Sequence, residues 1–540
     1  GVRGLVVFAA AVDAAAGAAL LAVCRRYGMR LIGPNCFGIA VPGIGLDATF
    51  AAAHPAAGTA GLVTQSGGIG FAMVDHLSRL GIGISSFASV GNKLDVSGND
   101  MLMWWEQDGQ TKLAVLYIES FGNPRKFART ARQVGIRMPV LTVHAGRSEA
   151  GQQAAASHTA AIATPLVSRE ALFEQAGIIA TPGFGELVEV TALLASQPPP
   201  AGRTVAVVSN VGGAGVLAAD ACTDLGLAVH HPRGQLKRQL HALVPGGGAV
   251  TGPVDTTATV SRDDFRQVLE LITADEDVDA MIALVLPTGA TGDLVAAIRD
   301  ADVRVPLAAV VLGQTETVRL LDAKNGKVPA YGYPEAAAGA LARAARYGEW
   351  RSAPHTPVPG FGDVDAAGAR AVIRGFLARA PDGGWLPPAD VTALLRLYGI
   401  PLASETEART ITGGTEVIIG VQDDQMFGPL VVFGLGGVAT EALADRAARL
   451  APLTETDADT LINSIRSAPL LHGHRGSAAA DIPALRDVLM RVSRLADDLP
   501  EVTELDLNPV IARPDSAITV DARIRVTPQV QQDPFLRRLR

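Results

Sequence analysis

Cysteine is almost missing from this 540-residue chain: Cys24, Cys36 and Cys222 stand alone. Three scattered thiols exclude a disulfide framework and a cysteine-based zinc site, and they fit a reducing compartment, so a cytoplasmic location is expected. Aromatic residues make up only 5% of the chain and charged residues 19%, against 58 glycines and 48% hydrophobic residues. That balance belongs to Ala/Val/Leu-packed α/β enzymes with many tight strand–helix turns. The net charge is -8 and no basic run precedes the terminal "RRLR", so neither nucleic acid nor an anionic membrane is the expected partner. No apolar stretch has the length and flanks of a membrane-spanning helix. Lysine also runs out: none follows Lys327.

What is present is organised by two proline-rich seams, "SQPPPAGR" (196–203) and "SAPHTPVPGFGD" (352–363), which read as linkers. The length suggests roughly three or four domains. The chain opens on a strand-like "GLVVFAA" with no charged-then-apolar leader, as if partway through a domain. Before the first seam, "TAGLVTQS" leads into "GGIGFAMVDHLSRLG" and "KLAVLYIES" into "NPRKFARTARQVG", a βαβ alternation that predicts a doubly wound parallel sheet. After the seam the pattern returns with "RTVAVVSN" and "VGGAGVLAADACTDLG". "VGNKLDVSG" and "VTGPVDTTA" follow the two Gly-rich turns in parallel, which predicts an internal duplication. Beyond Asp363 the character changes. "TEVIIGVQDDQMFGPLVVFGLGG" predicts an antiparallel hairpin turning near Asp423 and Asp424, and "ELDLNPVIARPDSAITVDARI" predicts another.

The turn "TQSGG" lies between a strand and a helix, where free N–H groups and a serine hydroxyl make an anion site. It nearly matches a nucleophile elbow, with Thr64 for the first glycine, but no suitable Asp and His follow at strand ends. A tight turn without a ligand is the plain alternative. The partner turn holds Gly213-x-Gly215-x-x-Ala218, a weak dinucleotide fingerprint whose expected acid is replaced by His230 and His231. A second anion-binding helix end is the simpler reading. His158, in "GQQAAASHTAAIATP", is the one titratable residue of an alanine-rich stretch. An isolated histidine is usually structural, but two anion-binding helix ends favour a phosphoryl carrier on a loop of small residues. Glu119, ending "LAVLYIES", is a carboxylate suited to orient its ring. Asp506, Asn508 and Asp521 offer oxygen atoms of the kind that suit Mg²⁺ bridging nucleotide phosphates.

Together, "LIGPNCFGI", "VTQSGGIG", "VGNKLDVSGNDML", "GRSEAGQQAAASHTAAIA", "VVSNVGGAGVLAADA", "PLLHGHRG" and "ELDLNPV…VDARI" resemble the NDP-forming acyl-CoA synthetases, or ADP-forming acetate–CoA ligases, of the succinyl-CoA synthetase superfamily. The resemblance runs over nearly the whole chain. It implies an α/β chain with a partial Rossmann-like CoA-binding domain (1–56) and two flavodoxin-like doubly wound subdomains (57–198 and 203–350). An incomplete ATP-grasp domain (363–540) would follow. It also implies conversion of acyl-CoA, ADP and phosphate into acid, CoA and ATP through an acyl phosphate and a phosphohistidine. On that mapping His158 carries the phosphoryl group and Glu119 orients it. Ser66, Gly67 and Gly68 mark one phosphate-binding helix end, and Asn210, Gly212 and Gly213 the other. Asn508 and Asp521 would ligate Mg²⁺, and Asn35 and Cys36 would lie near CoA. For Cys36 a buried small hydrophobe is the competing role. His472 and His474 are assigned no chemistry. Acyl-CoA, carboxylate, phosphate and nucleotide are the implied partners, in a homo-oligomer.

Two departures from the family stand out. The opening strand and Gly-rich turn of the CoA domain are not in the chain. In addition, "PLASETEARTITGGTEVIIGV" joins a helix directly to a grasp strand, where the family carries an extra lobe that offers a lysine to the nucleotide. The alternative reading is an acyl-CoA synthetase-like regulatory region of a GNAT-type protein lysine acetyltransferase, with an acetyltransferase domain fused upstream. His158 weighs against it, because a sensing copy needs no phosphoryl carrier.

Overall fold

In the computed structural model, residues 1–529 are described except 53, 122, 144, 145, 147, 149, 152, 154–165, 289–291, 425, 438–444 and 475–477. Among them the chain folds into one small two-stranded sheet and three larger ones. The first large sheet holds the parallel strands Ala57–Thr64, Ile84–Ser89, Leu113–Tyr117, Val140–Val143 and Ile178–Thr181. Their spatial order is 2-1-3-4-5, the flavodoxin-like arrangement. The second sheet repeats it with Thr204–Ser209, Val254–Asp255, Ala280–Val285, Leu307–Val311 and Gly326–Tyr331. The expected duplication is therefore visible in topology. Strands of both sheets are buried on both faces, as Val/Leu/Ile-rich parallel strands require.

The helices Gly67–Arg79, Phe184–Ser196, Gly212–Asp224 and Pro334–Ser352 pack between the two sheets and share one apolar core with them. Both Gly-rich helix starts consequently belong to the same layer. The seams fall where the sequence put them: 196–203 separates a helix end from the strand Thr204–Ser209, and 352–363 leads out of the long helix Pro334–Ser352.

The opening segment differs from the expectation in one respect. Gly4–Val6 and Arg30–Ile32 pair in parallel around the helix Ala14–Arg26, but Gly38–Val41 and Leu46–Thr49 belong to the first flavodoxin-like sheet. They form an antiparallel hairpin whose Ile39 and Ala40 pair with Ala88 and Phe87. The first flavodoxin-like sheet thus also takes in a hairpin that precedes residue 57.

The last sheet is built from the antiparallel strands Thr415–Asp424, Gly428–Leu435, Arg446–Leu450 and Val502–Arg513, with Ala522–Val526 beside the last. Arg409 to Gly414 alone connect the short helix Glu405–Ala408 to its first strand. This sheet shares a core with the first flavodoxin-like unit through Phe121, Phe127, Phe427 and Leu450. Gln175 donates to the Leu450 carbonyl at 3.1 Å and accepts from its N–H at 2.7 Å, extending the contact. No described helix is long and apolar enough to cross a membrane.

Candidate active site

In a 2-1-3-4-5 sheet the crossovers leave strands 1 and 3 on opposite faces, and a crevice opens at their carboxyl ends. In the first sheet those ends are Thr64 and Tyr117, paired in register. Ser66 follows Thr64 in an extended conformation and caps the helix Gly67–Arg79, its Oγ accepting from the Ile69 N–H at 3.5 Å. The first N–H groups of any helix lack intrahelical partners and sit at the positive end of its dipole. Gly68, exposed at the second helical position, leaves them open to solvent.

Glu119 follows Tyr117 into the same crevice. Its N–H and that of Ser120 both donate to Gln65 Oε1, at 3.0 and 3.1 Å. The residue that precedes the capping serine therefore fixes the turn that carries the carboxylate. Lys93 joins this cluster from the loop after Ile84–Ser89. Its ammonium donates to the Ser120 carbonyl, to Ser120 Oγ at 2.6 Å and to Gln65 Oε1 at 3.4 Å. Burial pulls its pKa down to about 8, and the neighbouring Glu119 charge opposes that fall. Gln65, Lys93 and Ser120 were not singled out by sequence pattern. The position of Gln65 between a strand and a capping serine was the available signal. His158 lies outside the described residues. The described strand that precedes it in sequence ends at Val143, at the carboxyl end of strand 4 of the same sheet.

The second crevice is built alike but filled differently. Asn210 is buried, its Oδ1 accepting from the Leu286 N–H at 2.8 Å and its Nδ2 donating to the Leu286 carbonyl at 3.1 Å. Gly212 and Gly213 open the helix Gly212–Asp224. A Cβ on Gly212 would lie 2.6 Å from Asp255 Oδ2, so a carboxylate stands beside this helix end.

Asn35 and Cys36 follow a cis Gly33–Pro34 bond, and Asn35 adopts φ 58°. Asn35 is exposed, and its Nδ2 faces Asn92 Oδ1 at 3.4 Å. Cys36 is buried, and its Sγ lies 3.2 Å from the Val7 carbonyl. Burial pushes the Cys36 thiol up, so its place is the packing role. Asn508 and Asp521 are exposed on the far sheet and adjacent, the Asn508 N–H donating to the Asp521 carbonyl at 3.1 Å. Asp506 lies two residues earlier, opposite Arg523, with its pKa raised by burial. Among the described residues no group of three His, Cys, Asp or Glu side chains could hold a metal. His472 binds Asn463 at 2.9 Å, an ordinary loop contact.

Family models match three stretches: a succinyl-CoA ligase like flavodoxin domain over 57–194, a ligase-CoA domain over 205–357 and an ATP-grasp domain over 406–526. The chain is 30% identical to acetate–CoA ligase [ADP-forming] I of Archaeoglobus fulgidus, over 94% of its own length and 83% of the relative's. It belongs to the ADP-forming acetate–CoA ligase family. That alignment spans 577 positions, more than the chain's 540 residues, so the relative carries residues with no counterpart here. A 4-hydroxybutyrate–CoA ligase [ADP-forming] of Nitrosopumilus maritimus is 27% identical over 91% of this chain and 81% of its own. Among solved structures, a dinucleotide-forming acetyl-coenzyme A synthetase of Ca. Korarchaeum cryptofilum, in complex with phosphate and ADP, superposes with a TM-score of 0.60. It shares 30% identity with this chain and covers 65% of it and 78% of its own chain. These relatives are named as ligases or synthetases, and none of the names supports the acetyltransferase-linked alternative. As a member of this family the chain is an acid–thiol ligase acting on small molecules.

Proposed function

We propose that the chain interconverts acyl-CoA, ADP and phosphate with a small carboxylic acid, CoA and ATP, using His158 as phosphoryl carrier. One observation carries this reading. The Ser66-capped helix end, the turn carrying Glu119 that Gln65 holds, and Val143, the last residue of strand 4, all lie at the carboxyl ends of one parallel sheet. In the acyl half-reaction a phosphate oxygen attacks the thioester carbonyl, and the C–S bond breaks as CoA leaves and takes a proton. The acyl phosphate then gives its phosphoryl group to a ring nitrogen of His158, and the carboxylate leaves with the bridging oxygen. Glu119 accepts from the other ring N–H, holding the tautomer in which the attacking nitrogen is unprotonated. Helix-end N–H groups at Gly67 and Gly68, and at Gly212 and Gly213, receive the phosphoryl oxygens. In the second half-reaction the phosphohistidine transfers to a terminal oxygen of ADP.

Asn508 and Asp521 fit a divalent ion of the Mg²⁺ type, because two exposed oxygen-bearing side chains leave most coordination positions to nucleotide phosphates. Such an ion would neutralise phosphate charge during transfer. The related ligases act on acetate and on 4-hydroxybutyrate by name, which supports a short acid as substrate. Three buried free thiols support a reducing, cytoplasmic setting. Exposed rings of Phe50 and Phe71 beside the first site support a homo-oligomer. Sedimentation at the mass of one chain would remove that last element.

The test is direct. Incubation with labelled phosphate and acetyl-CoA, then with ADP, is expected to place acid-labile, base-stable label on His158 and to discharge it into ATP. His158→Ala takes no label. A wild-type chain that takes no label with any acyl-CoA, from C2 to C4 or aromatic, overturns the reading.

A further inference from the structure

Lys93 carries three costs at one residue. Its φ of 43° places a side chain in the left-handed region, where a non-glycine residue is strained by roughly 1 kcal/mol or more. Its ammonium is drawn inward from a loop, although a lysine on a surface loop ordinarily keeps its charge in water. Burial works against that charge, pulling the pKa down to about 8. A residue that only closed the turn onto the Val90 carbonyl could share the left-handed φ, but it would need neither the inward ammonium nor its desolvation.

Among the described residues, the hydrogen bonds of the ammonium all go to the active-site scaffold. All three acceptors belong to Gln65 or Ser120, the residues that flank the phosphate-binding turn and the carboxylate. Gln65 Oε1 already receives the N–H groups of Glu119 and Ser120, so the lysine is the third donor on a single oxygen. The loop bearing Lys93 is tied in turn to the "GPNC" turn. The Asn92 N–H donates to the Pro34 carbonyl at 2.9 Å and the Leu94 N–H to the Gly33 carbonyl at 3.4 Å. Gly91 makes that approach possible, since a Cβ there would lie 2.2 Å from the Asn35 carbonyl oxygen. One side chain thus links the segment after strand 2 to the turns after strands 1 and 3. Among the described residues the duplicated unit shows no such cation at this turn: there Asn210 pairs with Leu286 and the carboxylate of Asp255 lies against Gly212.

We infer that Lys93 is a positioning residue of the acyl-side phosphoryl site, clamping Ser120 and Gln65 so that the turn carrying Glu119 stays fixed beside the Ser66-capped helix end. Lys93 does not touch the phosphoryl group, because its three donors are already committed. It acts through Glu119, whose charge it favours and whose backbone it holds. The inference rests on the ligase reading above. It adds that reading's missing counter-charge: the carboxylate at the helix end has a cation behind it, and among the described residues the second helix end shows none.

The experiment compares wild type, Lys93→Met and Lys93→Arg as full-length chains. It measures melting temperature, the rate and phosphate KM of acetyl-CoA-dependent His158 labelling, and discharge of the labelled enzyme by ADP. Lys93→Met is expected to melt within a few degrees of wild type and to label about ten- to a hundredfold more slowly, the range for partners that orient a catalytic group. Its phosphate KM should change little, because the lysine does not bind the anion. Discharge by ADP should keep its rate, and Lys93→Arg should recover most of the labelling. Wild-type labelling by Lys93→Met overturns the inference. So does a loss shared equally by labelling, discharge and melting temperature without recovery in Lys93→Arg, which marks a merely structural residue. A wild-type chain that never labels removes the ligase reading itself, and the inference falls with it.

Discussion

Gly68 and Gly213 offer the sharpest separation between a turn and a binding site. Each is the second residue of its helix, exposed, and outside the left-handed region. A Cβ added at either would meet nothing within 4 Å. Folding therefore gives no reason for glycine at either position, and alanine should be the better residue. Replacing a helical glycine by alanine contributes up to about 1 kcal/mol, and about half that in a first turn. In subdomains of this size that raises the melting temperature by roughly 1–3 °C. The neighbours behave otherwise. At Gly70 a Cβ would lie 2.4 Å from Thr64 Oγ1 and 3.0 Å from the Phe87 ring, so Gly70→Ala should lose about 1–3 kcal/mol through overpacking. Gly68→Ala and Gly213→Ala put a methyl group over the open N–H groups, keeping a phosphate oxygen from reaching them. Both variants should be at least as stable as wild type by calorimetry, yet label His158 at least about a hundredfold more slowly, as when a donor to developing charge is lost. Stable variants with wild-type labelling would refute the anion-site reading. Variants that unfold would refute the steric accounting.

Two further outcomes follow from burial and charge. Cys24, Cys36 and Cys222 are buried, with the Cys222 thiol pushed up to about 12, so a thiol reagent at pH 8 should modify none of them until the chain is denatured. Rapid native modification of Cys36 would contradict its packing role. Asp506 has its pKa raised chiefly by burial, so the folded state binds its proton more tightly than the unfolded chain. Stability then falls as pH rises from the ordinary carboxylate value through the raised one, and the penalty is absent below the ordinary value. Asp506→Asn should therefore resist urea better than wild type at pH 7 but not below pH 4; equal resistance at both would show that burial is not the cause.

Much of this arrangement was legible because α/β sequence signals are local. The seams at 196–203 and 352–363, the two Gly-rich turns and the strand–helix alternation each announce themselves within a dozen residues. The hairpin Gly38–Val41 and Leu46–Thr49 did not, because what assigns it to the first sheet is pairing of Ile39 and Ala40 with strand Ile84–Ser89, over forty residues on. Lys93 was hidden for the same reason. It stands in a quoted motif, but its role appears only when its left-handed backbone aims the side chain at Ser120, 27 residues away.

The duplicated halves show how one fold yields two unlike crevices. Register pairs Thr64 with Tyr117 in one sheet and Ser209 with Leu284 in the other, so Gln65 corresponds to Asn210, Glu119 to Leu286 and Ser120 to Pro287. Gln65 takes two successive N–H groups on one oxygen. Asn210 cannot, because Pro287 has no N–H to give; it closes instead on both the N–H and the carbonyl of Leu286. Both amides satisfy the backbone at the switch point, but only the glutamine does so while presenting a carboxylate. Once Leu286 stands where Glu119 stands in the twin, a buried ammonium behind it would have no charge to balance and no function to offset its desolvation. The lysine, the glutamine and the carboxylate after strand 3 are therefore one device, and the second half, whose carboxylate Asp255 comes from strand 2 instead, is built without it.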